Sequence, residues 1–397
     1  MENPTNITSA GSGPTLEYLG ELVIQGFGNL KRKYDCKLTP APTRTISVDG
    51  VNSREILCDR LRSTLLPLCK DQLTTILNLL EPASMQNEPE SKLKRVLEIQ
   101  PELDYNMTQI NSAVLVICPE SLSSSYDQTN DHHLKQLKAY RLLEFKRKFH
   151  ALGSICDVFQ AASQYMEVAP EGLSRAGRLF DDYKRNTKTT VNWIEKTIKH
   201  SNKTELDVIA DCGATAVFRI DCQLVDLVSL IDPAAPPGYS DFEALTGQPI
   251  INLAKSVVPL VRLLGFFYKK LSKQGIVNCH TLPSFTQMNS IQLKCLCESP
   301  GKVMRDLAEL LTSLHELEYP FGDVPVDIRT IPQRAERIAG HLEAPLLSVV
   351  LYLVPLINNL PEKDYYLDWF STWNTQINIA VQNFVQLAKH LRQDDLA

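Results

Sequence analysis

The chain has 397 residues, 44% hydrophobic and 22% charged, which excludes wholesale disorder and supplies the core of one large domain or two ordinary ones. A formal net charge of −5 excludes a general affinity for nucleic acid or anionic membranes, since both need concentrated positive charge. With 17 glycines, Gly-rich nucleotide loops and a turn-dense β architecture are disfavoured.

Residues 1–15, small and polar with Pro4 and Pro14, are expected to be disordered. LEYLGELVIQGFGNLKRKY reads as a short helix. The loop CKLTPAPTRTISVDG follows, its end (RTISVDGV) being the one hint of a strand. In SREILCDRLRSTLLPLCKDQLTTILNLLEP, apolar residues recur at Leu57, Leu61, Leu65, Leu68, Leu73, Leu77 and Leu80. Those steps trace one face of a helix, with a kink expected at Pro67. ESKLKRVLEIQPELDYNMTQINSAVLVICPE repeats the habit around Pro101. DHHLKQLKAYRLLEFKRKFHALGSICDVFQAASQYMEV reads as one long helix N-capped by Asn130 or Asp131.

EGLSRAGRLFDDYKRNTKTTVNWIEKTIKHS and KTELDVIADCGATAVFRIDCQLVDLVSLI give two more helices. The proline-rich stretch DPAAPPGYSDFEALTGQP then reads as a linker over 232–249. Beyond it, PIINLAKSVVPLVRLLGFFYKK is the most apolar segment. Lys255, Pro259 and Arg262 interrupt it short of the ~20 apolar residues a membrane span needs, so it reads as a core helix. Three further runs reach the C-terminal end. Runs of roughly 25–35 residues joined by short loops predict an all-α fold of long antiparallel helices, in one or two up-and-down bundles. The expected division is a bundle over 16–231, the linker, and a bundle over 250–397.

Ten cysteines are scattered singly, mostly in apolar runs where a thiol packs as a small hydrophobe, and a reducing compartment is expected. The opening residues lack a basic stretch followed by an apolar one, so a cytoplasmic or nuclear setting is expected, without membrane insertion. Cys279–His280 and Cys295–Cys297 lie close in sequence, but an adjacent pair and a one-residue spacer do not match the two-to-four-residue spacing of a closed zinc site. Adjacent His132 and His133 would diverge on a helix and cannot readily share a metal. No metal or other cofactor is expected.

Paired Asp181 and Asp182 in a large all-α chain resemble the magnesium-binding aspartates of class I terpene synthases. That resemblance implies a magnesium-dependent enzyme acting on a diphosphate. Lys184, Arg185 and Asn186 stand where the third acid should be, and an Asp181–Arg185 ion pair on a solvated helix explains the stretch equally well. Lys135, Lys138, Arg141, Lys146, Arg147 and Lys148 concentrate positive charge on one expected helix. It reads as a solvated face, or as a patch for an acidic partner helix with Lys146, Arg147 and Lys148 as candidate contacts, nucleic acid being the weaker alternative given the net acidity elsewhere.

LCDRLRSTLLPLCKDQLTTILNLLEP, LKRVLEIQPELDYNMTQINSAV and VNWIEKTI resemble an expanded, uncharacterised family of helical proteins in rust fungi, some of whose large helical proteins act as effectors inside plant cells. PIINLAKSVVPLVRLLGFFYKKLS, VMRDLAELLTSLHELEYPFGDVP and APLLSVVLYLVPLINNL are similar in layout to the cyclin-D-interacting (GCIP-type) helical proteins, whose bundle looks like those of vinculin and α-catenin. Both resemblances imply a non-enzymatic bundle that binds another protein, and the first implies delivery into a host cell. The aromatic cluster Tyr365, Tyr366, Trp369, Phe370 and Trp373 supplies candidate anchors, Trp369 and Trp373 first. The same spacing makes a core stripe, which is the preferred reading.

Overall fold

Thr15 opens the first helix: its hydroxyl accepts the Tyr18 amide at 3.4 Å and satisfies one free N–H of the first turn. The computed structural model describes residues 15–35, 48–150, 155–168, 173–273, 275–276, 283–320 and 328–394. Over those residues the chain is all-α, with no strand. In chain order the helices are α1 (Leu16–Tyr34), α2 (Val48–Arg60), α3 (Leu66–Leu79), α4 (Pro82–Met85), α5 (Pro89–Ile117), α6 (Ser125–Thr129) and α7 (Ala139–His150). Then follow α8 (Ile155–Val168), α9 (Leu173–Ser201), α10 (Glu205–Ile231), α11 (Gln248–Leu271), α12 (Ser290–Glu316), α13 (Thr330–Ser348) and α14 (Leu360–Asp394).

Prolines inside the runs are absorbed rather than terminating them. Helices α5, α11, α12 and α13 continue through Pro101, Pro259, Pro300 and Pro345. Pro67 has no N–H to return to the preceding turn, and there the helix widens into a π turn over Leu61–Leu65, closed by the Leu66 amide on the Leu61 carbonyl.

The chain forms two compact units. The first comprises Met1–Ser124 with Arg141–Asn202, the second Ser125–Tyr140 with Lys203–Ala397. In the first unit α1 packs on α5 and α8, α8 on α9, and α3 on both α5 and α9. Gly26 leaves room for the Gln100 side chain of α5, whose amide a methyl there would displace; that amide donates to the Val23 carbonyl at 2.9 Å. Lys33 and Tyr34 tie the end of α1 to Asp104 at 2.7 and 2.8 Å.

In the second unit α11 is the central helix, with Leu253, Val257, Leu260, Val261, Leu264 and Phe267 at 0% exposure. It packs on α10 and α14, while α12 packs on α10 and α13. Gly213 faces the Tyr268 carbonyl and Gly265 faces Ile220, so α10 and α11 run antiparallel at close approach. Gln248–Leu271 and Thr330–Leu356 are long and apolar enough to cross a membrane by length and composition, yet both supply fully buried side chains to this core.

The boundary falls at Asn202 and Lys203, so α10 and Ser125–Tyr140, expected in the bundle over 16–231, belong to the second unit. Two local departures from the expected organisation each have a physical cause. First, 232–249 is not a linker but a strap docked on its own unit. Buried Asp226 accepts the Tyr239 and Ser240 amides, the Glu243 amide donates to His315 Nε2 at 3.2 Å, and Tyr319 donates to the Ala244 carbonyl at 3.0 Å. Glu318 accepts the Thr246 and Gly247 amides, and Leu245 enters the core at 2% exposure. Second, the helix expected from Asp131 to Val168 is broken. Residues 130–138 hold only a 3₁₀ turn at Lys135–Leu137, and α7 starts at Ala139. Asp131 does cap a helix, but at a distance: its carboxylate accepts the Ala139 amide at 2.7 Å.

Of the expected disordered stretch, only Thr15 falls in the described residues. Of the possible strand, Val48–Val51 are helical and Arg44–Ser47 lie outside the described residues.

Candidate functional site

The basic run does not form one solvated face. Lys138 is 0% exposed, Lys146 and Lys148 are half-buried, and Arg147 is exposed but paired to Glu144 one turn away. The terminal aromatics divide likewise. Trp373 is buried and donates its indole N–H to the Leu263 carbonyl at 2.8 Å, with Phe267 4.7 Å from its ring centre. It is core and cannot be a contact residue as it stands. Trp369 is half-buried against the same core, and Lys270 Nζ lies 5.2 Å from its ring centre.

Asp181 and Asp182 are both exposed on α9, and Asp182 pairs with Arg185 at 2.6 Å, where the sequence suggested Asp181. A diphosphate site needs those carboxylates lining a deep cavity, and their exposure removes that arrangement. Among the described residues no three His, Cys, Asp or Glu side chains gather as a metal would require. Cys279 and His280 lie outside the described residues, while Cys295 and Cys297 are half-buried on α12.

A concave site does exist between α3 and α9, in the first unit. Thr74, Leu77 and Asn78 lie on one face of α3, with Glu81 just beyond its end at the start of α4, and Phe180, Lys184, Thr187, Val191 and Glu195 recur at helical steps on one face of α9. Together they border a groove of about 480 Å³. Its floor is built from buried Leu77, Phe180 and Thr187, the Thr187 hydroxyl being satisfied by the Tyr183 carbonyl at 2.8 Å. Its rim carries both signs of charge, already paired across the groove: Lys184 with Glu81 at 3.8 Å and Lys70 with Glu195 at 3.1 Å. Exposed pairs of this kind contribute about 0–1 kcal/mol each, so an incoming side chain can displace them at little cost. An apolar floor inside a polar rim is the anatomy of a protein-recognition patch.

Residues 204–386 match a family model described as a domain of unknown function, DUF8721. Residues 54–202 match another domain of unknown function, DUF8723. No curated protein matches the chain. The two matched stretches meet where the two compact units divide, at Asn202 and Lys203. The groove lies wholly within 54–202 and the strap wholly within 204–386.

One polar constellation was missed by sequence reasoning. In the second unit Lys138 Nζ meets Glu205 Oε1 at 2.8 Å, with side chains 0% and 1% exposed. Lys138 also donates to the Thr286 carbonyl at 2.8 Å, and Glu205 Oε2 accepts the Thr286 amide and hydroxyl at 2.9 and 2.8 Å. Beside it, Asp131 Oδ1 accepts the Ser290 amide at 2.8 Å, and Oδ2 accepts the Ala139 amide and the Ser290 hydroxyl. One carboxylate thus caps the first residues of α7 and α12. The sequence carried no local signal for it: Lys138 precedes α7 in a stretch without a continuous helix, and its partners Glu205 and Thr286 lie far along the chain.

Proposed function

We propose that the chain is a non-enzymatic helical protein that works by binding another protein, as a scaffold, regulator or effector. The observation that carries this reading is the α3–α9 groove. Its apolar floor, charged rim and two-helix walls fit an amphipathic partner helix whose apolar side chains enter at Leu77, Phe180 and Val191. The rim carboxylates Glu81 and Glu195 are each neutralised by a lysine, as suits a contact surface more than acid–base chemistry. The resemblance of roughly residues 250–360 in layout to GCIP-type helical proteins supports the same class of role.

The reading is tested by placing a photo-crosslinking residue at exposed Asn78 or Asn192 in the full chain. Both positions should capture the same protein, and Val191→Arg, which fills the groove with a charge, should abolish capture. A control crosslinker at exposed Glu98 on α5 should capture nothing in common. Capture that survives Val191→Arg, or equals that at Glu98, refutes the groove as the binding site.

A further inference from the structure

We propose that Pro236-Pro237-Gly238-Tyr239, on the docked strap, is a ligand for a proline-recognition domain of the WW type carried by a partner protein. The strap is a loop rather than a helix face, so this inference stands independently of the groove.

The first support is local chemistry. Two consecutive prolines fix φ near the polyproline II value, and that helix has three residues per turn, so in that conformation Pro236 and Tyr239 would share one edge. Domains that read proline-rich segments offer a groove of aromatic side chains to such an edge, and the pre-set backbone lowers the entropy cost of binding.

The second support is how the strap is held. Gly238 presses against α10: a methyl there would lie 2.6 Å from Asp226 Oδ1 and 2.8 Å from Ser229 Oγ. Asp226, 2% exposed, takes the amides of Tyr239 and Ser240 on Oδ1 and the Ser240 hydroxyl on Oδ2 at 3.0 Å. The backbone is therefore fastened on its inner side. Pro236 and Pro237 are exposed, and Tyr239 stands 75% exposed with its ring outward. A large aromatic held in water by a backbone pinned through a buried carboxylate is costly for stability alone, and it is the arrangement a clamp of aromatic residues requires.

Pro233 and Pro236 also have the spacing read by SH3-type grooves. Tyr239 decides between the two, because only the WW-type reading uses it.

The test is calorimetric titration of the full chain with isolated WW domains that read Pro-Pro-x-Tyr, using a synthetic peptide of residues 232–243 as reference. The full chain should bind as tightly as the peptide. Tyr239→Ala should weaken binding by roughly tenfold or more, as expected for an aromatic anchor, while the circular dichroism spectrum is unchanged. Three results overturn the proposal: neither ligand binds; the peptide binds but the folded chain does not; or Tyr239→Ala binds as the parent does. Capture by an SH3 domain that ignores Tyr239 would replace it with the other reading.

Discussion

Lys138 and Glu205 form an ion pair sealed from water, the two side chains 2.8 Å apart at 0% and 1% exposure. Every other anchor of that cluster is also buried: Asp131 at 2%, Thr286 at 2% and Ser290 at 1%. Taking charges from water costs several kcal/mol per ion, which the pair and its hydrogen bonds offset only while both partners are present.

Lys138→Met should therefore destabilise the second unit by about 3–5 kcal/mol, because Glu205 is left buried and uncompensated. Lys138→Met combined with Glu205→Leu should recover much of that loss, since an apolar pair carries no desolvation cost. Urea denaturation of the single and double variants measures both. A double variant no more stable than the single would show that packing, not charge, sets the cost.

Asp131→Ala removes caps from two helices at once. Each lost cap costs about 0.5–2 kcal/mol, so a loss of about 1–4 kcal/mol is expected. Hydrogen exchange should accelerate specifically at the Ala139 and Ser290 amides, which donate to that carboxylate. Acceleration confined to one of them would break the link between the two helix ends.

Trp373→Ala should cost about 3–5 kcal/mol, the range for truncating a buried aromatic, and should leave the Leu263 carbonyl without its indole donor. Trp369→Ala, made at a half-buried position, should cost less than half as much. Thermal unfolding of the two variants side by side settles the order.

Burial pushes the Cys58 and Cys156 thiols up to about 11 and those of Cys69 and Cys118 to about 12. In the unfolded chain a thiol ionises near pH ~8.5. Above that pH the unfolded state binds fewer protons than the folded one, so stability falls as pH rises towards the folded values. Below about pH 8 these groups contribute no slope. Denaturation midpoints should be flat between about pH 7 and 8 and drop by about pH 10, less steeply in Cys69→Ala.

The all-α class was legible because long apolar stripes such as those of α5, α9 and α14 repeat over many turns. What was not legible depended on partners far along the chain. Asp232, the prolines and Gly238 look like linker chemistry whether or not Asp226, His315 and Glu318 stand ready to hold the backbone. Lys138 looks like its solvated neighbours until Glu205 is brought beside it. Asp131 has the composition of a local cap, yet its nearest helical client begins at Ala139. Among the candidate contacts, Trp373 was readable as core from its step of three and four with Tyr366 and Trp369. The α3–α9 groove was not readable, because Leu77 and Phe180 follow the same stripe as any core residue.

The placement of Ser125–Tyr140 in the second unit also dictates a timetable during synthesis. Asp131 emerges 159 residues ahead of Ser290. At about 5–20 residues per second, roughly 8–30 s pass before both capping clients of that carboxylate exist. Over that interval the stretch has no seat, although chain on either side of it is already made. A chain that ends before Thr286 lacks the groups that hold Lys138, Glu205 and Asp131 in this cluster.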